Sequence, residues 1–310
     1  MTKLTVIGAG AVGSSIAYAS LIRSSVTDLM LFDLDHDRAE AEAQDLGHGA
    51  QHAGSIRISA AANLAETGNS DVVVITAGAK RKPDQTRLEL LAINESIVVD
   101  MIPTLLEHSP EARIVIVSNP CDVLATRAVM KHNLDPKQVF SSGNVLDTAR
   151  LAWVLASRLE VSVESIHAMV LGEHGDSQFP VWSQARIGDV PILEYSRQGK
   201  TLNQSDLDEI AEKVKTSGAS VIAGKGATNY GIGLSTIRIV EAILNDENLV
   251  LPVSPVLDDY LGVSGVALSV PTLINASGAA ETKTLSLSET EMSKLVASAK
   301  AIEESVQSLS

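Results

Sequence analysis

The segment Gly8-Ala9-Gly10-Ala11-Val12-Gly13 follows the apolar run KLTVI and opens a helix-like stretch, SSIAYASLI. Glycines at this spacing let the chain turn sharply, let a pyrophosphate approach the backbone, and let the following helix pack close to the preceding strand. Such a turn also closes an ordinary strand-to-helix corner, so its surroundings decide its meaning. The next β-rich run, DLMLF, is followed at once by Asp33, twenty residues beyond Gly13, where a carboxylate accepts hydrogen bonds from an adenosine ribose. The arrangement predicts a dinucleotide cradle built from Gly8, Gly10, Gly13 and Asp33, with the phosphates at a helix N-terminus. A carboxylate there repels an added 2′-phosphate, which favours NAD over NADP. Arg38, five residues further on, is expected to face solvent.

The cradle sits in an alternating pattern. Short β-rich runs (KLTVIG, DLMLFD, SIRISA, DVVVITAG, RIVIVS) are separated by longer amphipathic segments through the first half of the chain. Continuous apolar strands flanked by helices predict a parallel sheet covered on both faces, a doubly wound α/β domain. From about Asn144 the pattern changes. A helix, DTARLAWVLASRL, precedes strands IHAMVLG and VWSQARIG with a hairpin through Gly188 and Asp189. Helices are expected from Asp206 to Lys215, Tyr230 to Leu244 and Glu289 to Ser308, with hairpin-like runs between the last two. The reading is a dinucleotide-binding domain over 1–143 and an α+β substrate domain over 144–310.

Composition narrows the function classes. The 24 Lys and Arg against 38 Asp and Glu give a net charge of −14, a field that repels nucleic acid and anionic membrane. A single cysteine, Cys121, allows no internal disulfide and no cysteine-based metal site. No metal is expected. The short apolar run of MTKLTVIGAG does not read as a signal peptide, and no run is long enough for a membrane helix. A cytoplasmic protein is expected.

A second constellation, Gly172-Glu173-His174-Gly175-Asp176, follows the run IHAMVL. A histidine between glycines at a strand end is open to a ligand, although a solvated loop histidine has the same appearance. A general acid needs a buried carboxylate that fixes its tautomer and favours the cation. Asp147 in LDTAR is a candidate, its alternative being a charge at a helix start. Arg150 lies one helical turn on and could fork onto a substrate carboxylate, or form only a surface ion pair with Asp147.

The chain resembles the L-lactate and L-malate dehydrogenase family over nearly its whole length. The resemblance rests on the glycine turn, TAGAKRKPDQTR (Thr76 to Arg87), SNPCD (Ser118 to Asp122), LDTAR (Leu146 to Arg150), LGEHGDSQFPVWS (Leu171 to Ser183) and KGATNYGI (Lys225 to Ile232). It implies a Rossmann domain joined to a catalytic domain, with hydride exchange between NAD and a 2-hydroxy acid. His174 then serves as proton donor oriented by Asp147, Arg150 holds the substrate carboxylate, and Arg87 polarises the carbonyl when a lid over Ala79 to Thr86 closes. Asn119 is placed beside both carbonyl and nicotinamide, Thr228 in the substrate pocket, and Ile232 by the nicotinamide, unless it only packs the core.

Two further implications follow from the resemblance. Ala152 stands where sugar-bisphosphate-activated relatives carry a basic residue, so His167 is expected to be a structural strand histidine and not half of an anion site. Arg81 stands where lactate dehydrogenases usually carry glutamine and malate dehydrogenases arginine. A guanidinium left unpaired over pyruvate costs about 2–3 kcal/mol after allowing for its turning to water, which predicts malate and oxaloacetate as the substrate pair. Lactate and pyruvate, or a broader 2-oxo acid range, form the alternative, and a non-catalytic dinucleotide-binding protein the alternative of another class. Assembly as a homodimer or homotetramer is implied.

Overall fold

The computed structural model describes residues 2–79 and 87–309, with Arg87 and Leu88 described by their backbone alone. In chain order the first half contains β1 (Lys3–Ile7), α1 (Ala11–Arg23), β2 (Asp28–Phe32), α2 (His36–Gly49), β3 (Arg57–Ala61), β4 (Val72–Ile75), α3 (Arg87–Val98), α4 (Ile102–His108), β5 (Arg113–Ile116), α5 (Cys121–His132) and β6 (Val139–Ser141). These six strands form one parallel sheet in the order β3-β2-β1-β4-β5-β6.

The two-residue period of a strand explains why these runs are apolar throughout. Along β4, Val73 and Ile75 enter one core with Ile7, Ile114 and Ile116, while Val72 and Val74 enter the opposite core with Leu4, Val6 and Val115. Both faces are covered. Each large side chain taken fully out of water contributes roughly 1.5–3 kcal/mol. The sheet reverses its winding between β1 and β4, and a crevice opens there at the carboxyl ends of the strands.

The second half begins with α6 (Val145–Leu159) and continues through the short strands β7 (Ile166–His167), β8 (Val170–Leu171), β9 (Phe179–Pro180), β10 (Arg186–Ile187) and β11 (Val190–Pro191). Then come α7 (Gln204–Lys225), α8 (Tyr230–Leu244), β12 (Leu249–Leu251), β13 (Thr272–Asn275), β14 (Gly278–Thr282) and α9 (Glu289–Gln307). Leu151, Leu155 and Leu159 of α6 meet Leu207, Ile210 and Val214 of α7 in a third core. The halves are joined by packing of α1 on α8 and of α5 on α9. Among the described residues no helix is long and apolar enough to cross a membrane.

The doubly wound sheet and the α+β second half agree with the sequence reading. Details differ for local reasons. β6 has only three residues, too few to show a period, and owes its place to pairing with β5. The expected strand IHAMVLG is two strands with different partners, β10 for β7 and β9 for β8. Much of VWSQARIG is a helical turn over Trp182–Gln184, while the hairpin through Gly188 and Asp189 forms as expected between β10 and β11. α7 runs ten residues past the expected Lys215, through Gly218 and Gly224, each a propensity cost of about 1 kcal/mol. Its capping box of Asn203 and Asp206 and its left-handed end at Gly226 define the boundaries.

Candidate active site

The first wall of the site is backbone. Gly8 adopts φ +101°, a conformation that L side chains rarely hold, and its N–H donates to Phe32 O at 2.7 Å. A Cβ on Gly13 would lie 1.8 Å from Gly8 O, so only glycine lets α1 start this close to β1. Gly10 is different, because a Cβ there would meet nothing within 4 Å. That open side borders a cavity of about 660 Å³ that runs past Gly8, Val12, Asp33, Thr76 and Ala227.

Asp33 is half-buried at the end of β2. One carboxylate oxygen accepts from Ala9 N at 2.7 Å and the other from Asp35 N at 3.0 Å, which orients the group and leaves lone pairs for a ribose. These residues fit an NAD dinucleotide: a tight turn, an open glycine for the pyrophosphate, and an acidic group at the ribose distance along the fold. Arg38 is exposed as expected, yet it also borders the same cavity.

The second wall is built from side chains. His174 Nδ1 meets Asp147 Oδ2 at 2.7 Å, and Arg150 donates to Asp147 Oδ1 at 2.8 Å. A carboxylate can only accept here, so Nδ1 carries the proton and Nε2 faces outward. Asp147 is almost fully buried, with its side chain 2% exposed, whereas His174 and Arg150 keep 22% and 18%. Burial opposes the imidazolium, but the Asp147 hydrogen bond and charge override it and raise the His174 pKa above its ordinary value. Burial likewise opposes the Asp147 carboxylate, and His174 and Arg150 hold it below the usual range.

Several elements bring these groups together. Thr148 Oγ1 accepts from Val170 N at 3.0 Å, which ties α6 to β8 and sets Asp147 beside the loop after β8. That loop turns at Gly172, φ +89°, where a Cβ would fall 2.7 Å from Ser298 Oγ of α9. Asn144 Nδ2 donates to Gly172 O at 3.0 Å and Glu173 N donates to Ser298 Oγ at 2.6 Å. His174 N donates to the buried carboxylate of Asp122 at 2.7 Å. Arg150 points toward α7 at Gly218, where a Cβ would stand 3.7 Å from its guanidinium.

Of the residues singled out from the sequence, the structure joins His174, Asp147 and Arg150 in one cluster and Gly8, Gly10, Gly13 and Asp33 in the cradle. Asn119 is exposed; its carbonyl accepts from Asn94 Nδ2 at 3.0 Å, and Asn94 Oδ1 accepts from Ala79 N at 2.8 Å. Thr228 and Ile232 are half-buried, and the intervening Asn229 donates to Ser15 Oγ of α1 at 3.0 Å, beside the glycine turn. No hydrogen bond among the described residues joins Asn119, Thr228 or Ile232 to the His174 cluster. Arg81 and most of the expected lid lie outside the described residues, as does the Arg87 side chain. His167 is exposed on β7. Asn144, Ser298 and Asp122 had no assigned role in the sequence reading, because each acts through one hydrogen bond to a distant loop.

Two family models match the chain, the lactate/malate dehydrogenase NAD-binding domain over residues 2–141 and the lactate/malate dehydrogenase α/β C-terminal domain over 144–309. The L-lactate dehydrogenase of Lactococcus lactis subsp. cremoris is 40% identical over 99% of this chain and 98% of its own length. That of Bifidobacterium animalis subsp. lactis is 38% identical over 98% and 95%. Among solved structures, the minor L-lactate dehydrogenase of Enterococcus mundtii has a TM-score of 0.95 at 34% identity, covering 100% of this chain and 98% of that one. A lactate dehydrogenase from a Medee basin deep-sea metagenome library has a TM-score of 0.94 at 35% identity, covering 99% and 98%.

These relatives overturn the expectation of malate and oxaloacetate. Each is a lactate dehydrogenase matched over nearly its full length, whereas the malate reading rested on Arg81 alone. One guanidinium on a long, flexible side chain can turn to water, so its charge does not fix what lies beneath it.

Proposed function

Because the chain belongs to the lactate/malate dehydrogenase family and is an NAD-dependent 2-hydroxy acid dehydrogenase, we propose that its substrate pair is pyruvate and L-lactate. The balanced reaction is pyruvate + NADH + H⁺ to L-lactate + NAD⁺. The buried relay from Arg150 through Asp147 to His174 carries the reading of the chemistry, and the near full-length likeness to L-lactate dehydrogenases supports the substrate.

When bound, the nicotinamide supplies the hydride in reduction and accepts it in oxidation. The protein supplies the proton and the geometry. His174 Nε2–H donates to the ketone oxygen as its charge develops, and Asp147 stabilises the imidazolium beforehand and keeps the ring in the required tautomer. Arg150 spends one N–H on Asp147 and offers its remaining fork to the substrate carboxylate, so one buried acid aligns both the proton donor and the anchor. Arg87, at the first residue of α3, polarises the carbonyl, with Asn119 beside it and Thr228 closing the methyl side. The glycine turn and Asp33 would hold the dinucleotide, and Ile232 would border its nicotinamide end.

The functional division falls near residue 143, with the cradle on one side and the relay on the other. Tyr18 and Ile22 of α1 and Tyr230 and Leu234 of α8 form an exposed apolar face, which supports assembly as a closed homodimer or homotetramer. A reducing cytoplasm suits the buried free thiol of Cys121.

The test is kcat/KM with NADH for pyruvate and for oxaloacetate. Pyruvate is expected to be the better substrate. A preference for oxaloacetate overturns the substrate, and failure to oxidise NADH with either overturns the activity.

A further inference from the structure

One buried carboxylate beside the reactive histidine takes no part in the chemistry above. Asp122 lies in the first turn of α5, 2% exposed, and among the described residues no Lys, Arg or His side chain lies within ion-pair distance of it. A lone buried carboxylate is costly unless donors surround it. Its donors are unusual in their destination: one oxygen accepts from His174 N at 2.7 Å, while the other accepts from Ser141 Oγ and lies 3.5 Å from Cys121 Sγ. An acid serving only the start of α5 would bond to its own helix. This one reaches 52 residues along the chain to the backbone of the histidine that gives up the proton.

We propose that Asp122 is a positioning residue for His174: its carboxylate holds the histidine main chain in register with Asp147, and its charge is a second anion against which the imidazolium is built. The inference rests on His174 being the proton donor. Two carboxylates then act on one imidazole by different routes. Asp147 holds the ring at Nδ1 and Asp122 holds the backbone from which the ring projects. The charged groups whose fields reach the imidazole, among the described residues, are Asp147 and Arg150 of α6 and Asp122 of α5. In the loop itself, Glu173 is engaged by Ser177 and Asp176 has its own interaction. On the α9 side the contact is the neutral Ser298. The Asp122 field opposes that of Arg150 and adds to that of Asp147, in the direction that favours the cation.

The same charge keeps Cys121 a thiol. Burial raises that pKa first, and the adjacent carboxylate raises it further. Cys121 is therefore a neutral, weak donor to Asp122 and does not compete with His174 as a proton acceptor at neutral pH.

Asp122→Asn is nearly isosteric. Its Oδ1 still accepts from His174 N and its Nδ2 can donate to Ser141 Oγ, so the change removes the charge and the acceptor that faces Ser141 and Cys121 while keeping the bond to His174. The pH dependence of kcat for pyruvate reduction should fall at alkaline pH where His174 loses its proton. With one anion gone, that limb should move down by about 1–2 pH units, the scale of a charge interaction across roughly 6–12 Å at an effective dielectric near 20. NADH affinity, read from its fluorescence, and KM for pyruvate should stay near those of the parent, because the cradle and Arg150 are untouched. An Asp122 that only supported the fold would change stability and leave the limb in place, so an unmoved limb in a folded Asp122→Asn enzyme overturns the proposal.

Ser141→Ala carries the same test should Asp122→Asn not accumulate. It removes a donor from the carboxylate but leaves the charge, so the limb should move up, and a limb that stays or moves down overturns the proposal. His174→Asn separates this inference from the reading beneath it. A limb that survives in His174→Asn overturns both, whereas a limb lost in His174→Asn but unmoved in Asp122→Asn overturns the role of Asp122 alone.

Discussion

Gly8, Gly10 and Gly13 lie within one turn of chain and work through backbone, whereas His174 is held by Asp147 27 residues away, by Asp122 52 residues away, and through Glu173 by Ser298 at a separation of 125. The cradle needs only that a strand, a turn and a helix form in sequence. The relay needs α5, α6, β8 and α9 all packed in place before any of its hydrogen bonds exists. In the first region the absence of side chains is the device; in the second the device is a set of polar side chains removed from water. The cradle tolerates change wherever it is open, and the relay tolerates little because each group satisfies another.

Replacing His174 by Asn tests how separable the two regions are and should have the largest effect. Loss of a general acid typically costs about 10²- to 10⁴-fold in turnover. NADH titration should give an affinity near that of the parent, since no cradle residue is touched. A variant that turns over pyruvate normally sinks the role of His174, and one that also loses NADH binding shows that the two regions do not act separately.

Within the cradle, two glycines should part company. Gly13→Ala places a Cβ 1.8 Å from Gly8 O, so strand or helix must move. Overpacking of that kind costs about 1–3 kcal/mol, and thermal unfolding should show it along with lost NADH binding. Gly10→Ala meets no protein atom within 4 Å and should unfold at the parental temperature. Its methyl group enters the space a pyrophosphate uses, so NADH affinity should fall about tenfold, a loss near 1.4 kcal/mol. Parental NADH affinity in Gly10→Ala would mean that the phosphates do not pass there.

The same contrast explains what could be read from the sequence. Gly13 and Asp33 stand at a local spacing with a mechanism behind it, and the alternating runs expose the parallel sheet because strands buried on both faces must be apolar throughout. Asp147 and Arg150 were legible only as a pair one turn apart, with a surface ion pair as an equal alternative until α6 was seen to bury the acid. Asp122 stood inside a quoted motif without a task, because its partner is a backbone N–H that no sequence displays. Substrate choice was the weakest point. Arg81 stands in the sequence as an extra charge, yet where a flexible side chain points depends on what closes over it. The extent of α7 differs for the opposite reason: its buried residues Leu207, Ile210 and Val214 all precede Lys215, and the ten residues the helix adds beyond it are half-buried or exposed, so no buried apolar stripe marks them.

The smallest expected effect is also the one that reports on the charges of the relay. His174 has a raised pKa in the folded protein, so it contributes stability that is fully present below the ordinary imidazole value of 6.5 and is lost as pH rises through the raised value. Asp147 is lowered, so its contribution is present above the ordinary value of 3.8 and is lost as pH falls through the lowered value. Between about pH 4 and 6.5 both contributions are in place. The thermal midpoint of the parent minus that of His174→Asn, followed from pH 5 to pH 9, removes every effect of the substitution that does not depend on pH. That difference should be most in favour of the parent at the acid end of the range and should shrink by roughly 2–4 °C as His174 deprotonates, the shift that about 1 kcal/mol makes in a chain of a few hundred residues. Gly10→Ala changes no charge and meets no protein atom within 4 Å, so it should track the parent at every pH. A gap between parent and His174→Asn that stays constant from pH 5 to pH 9 would mean that His174 binds its proton equally well in the folded and the unfolded protein, and that its bond to Asp147 orients the ring without storing charge.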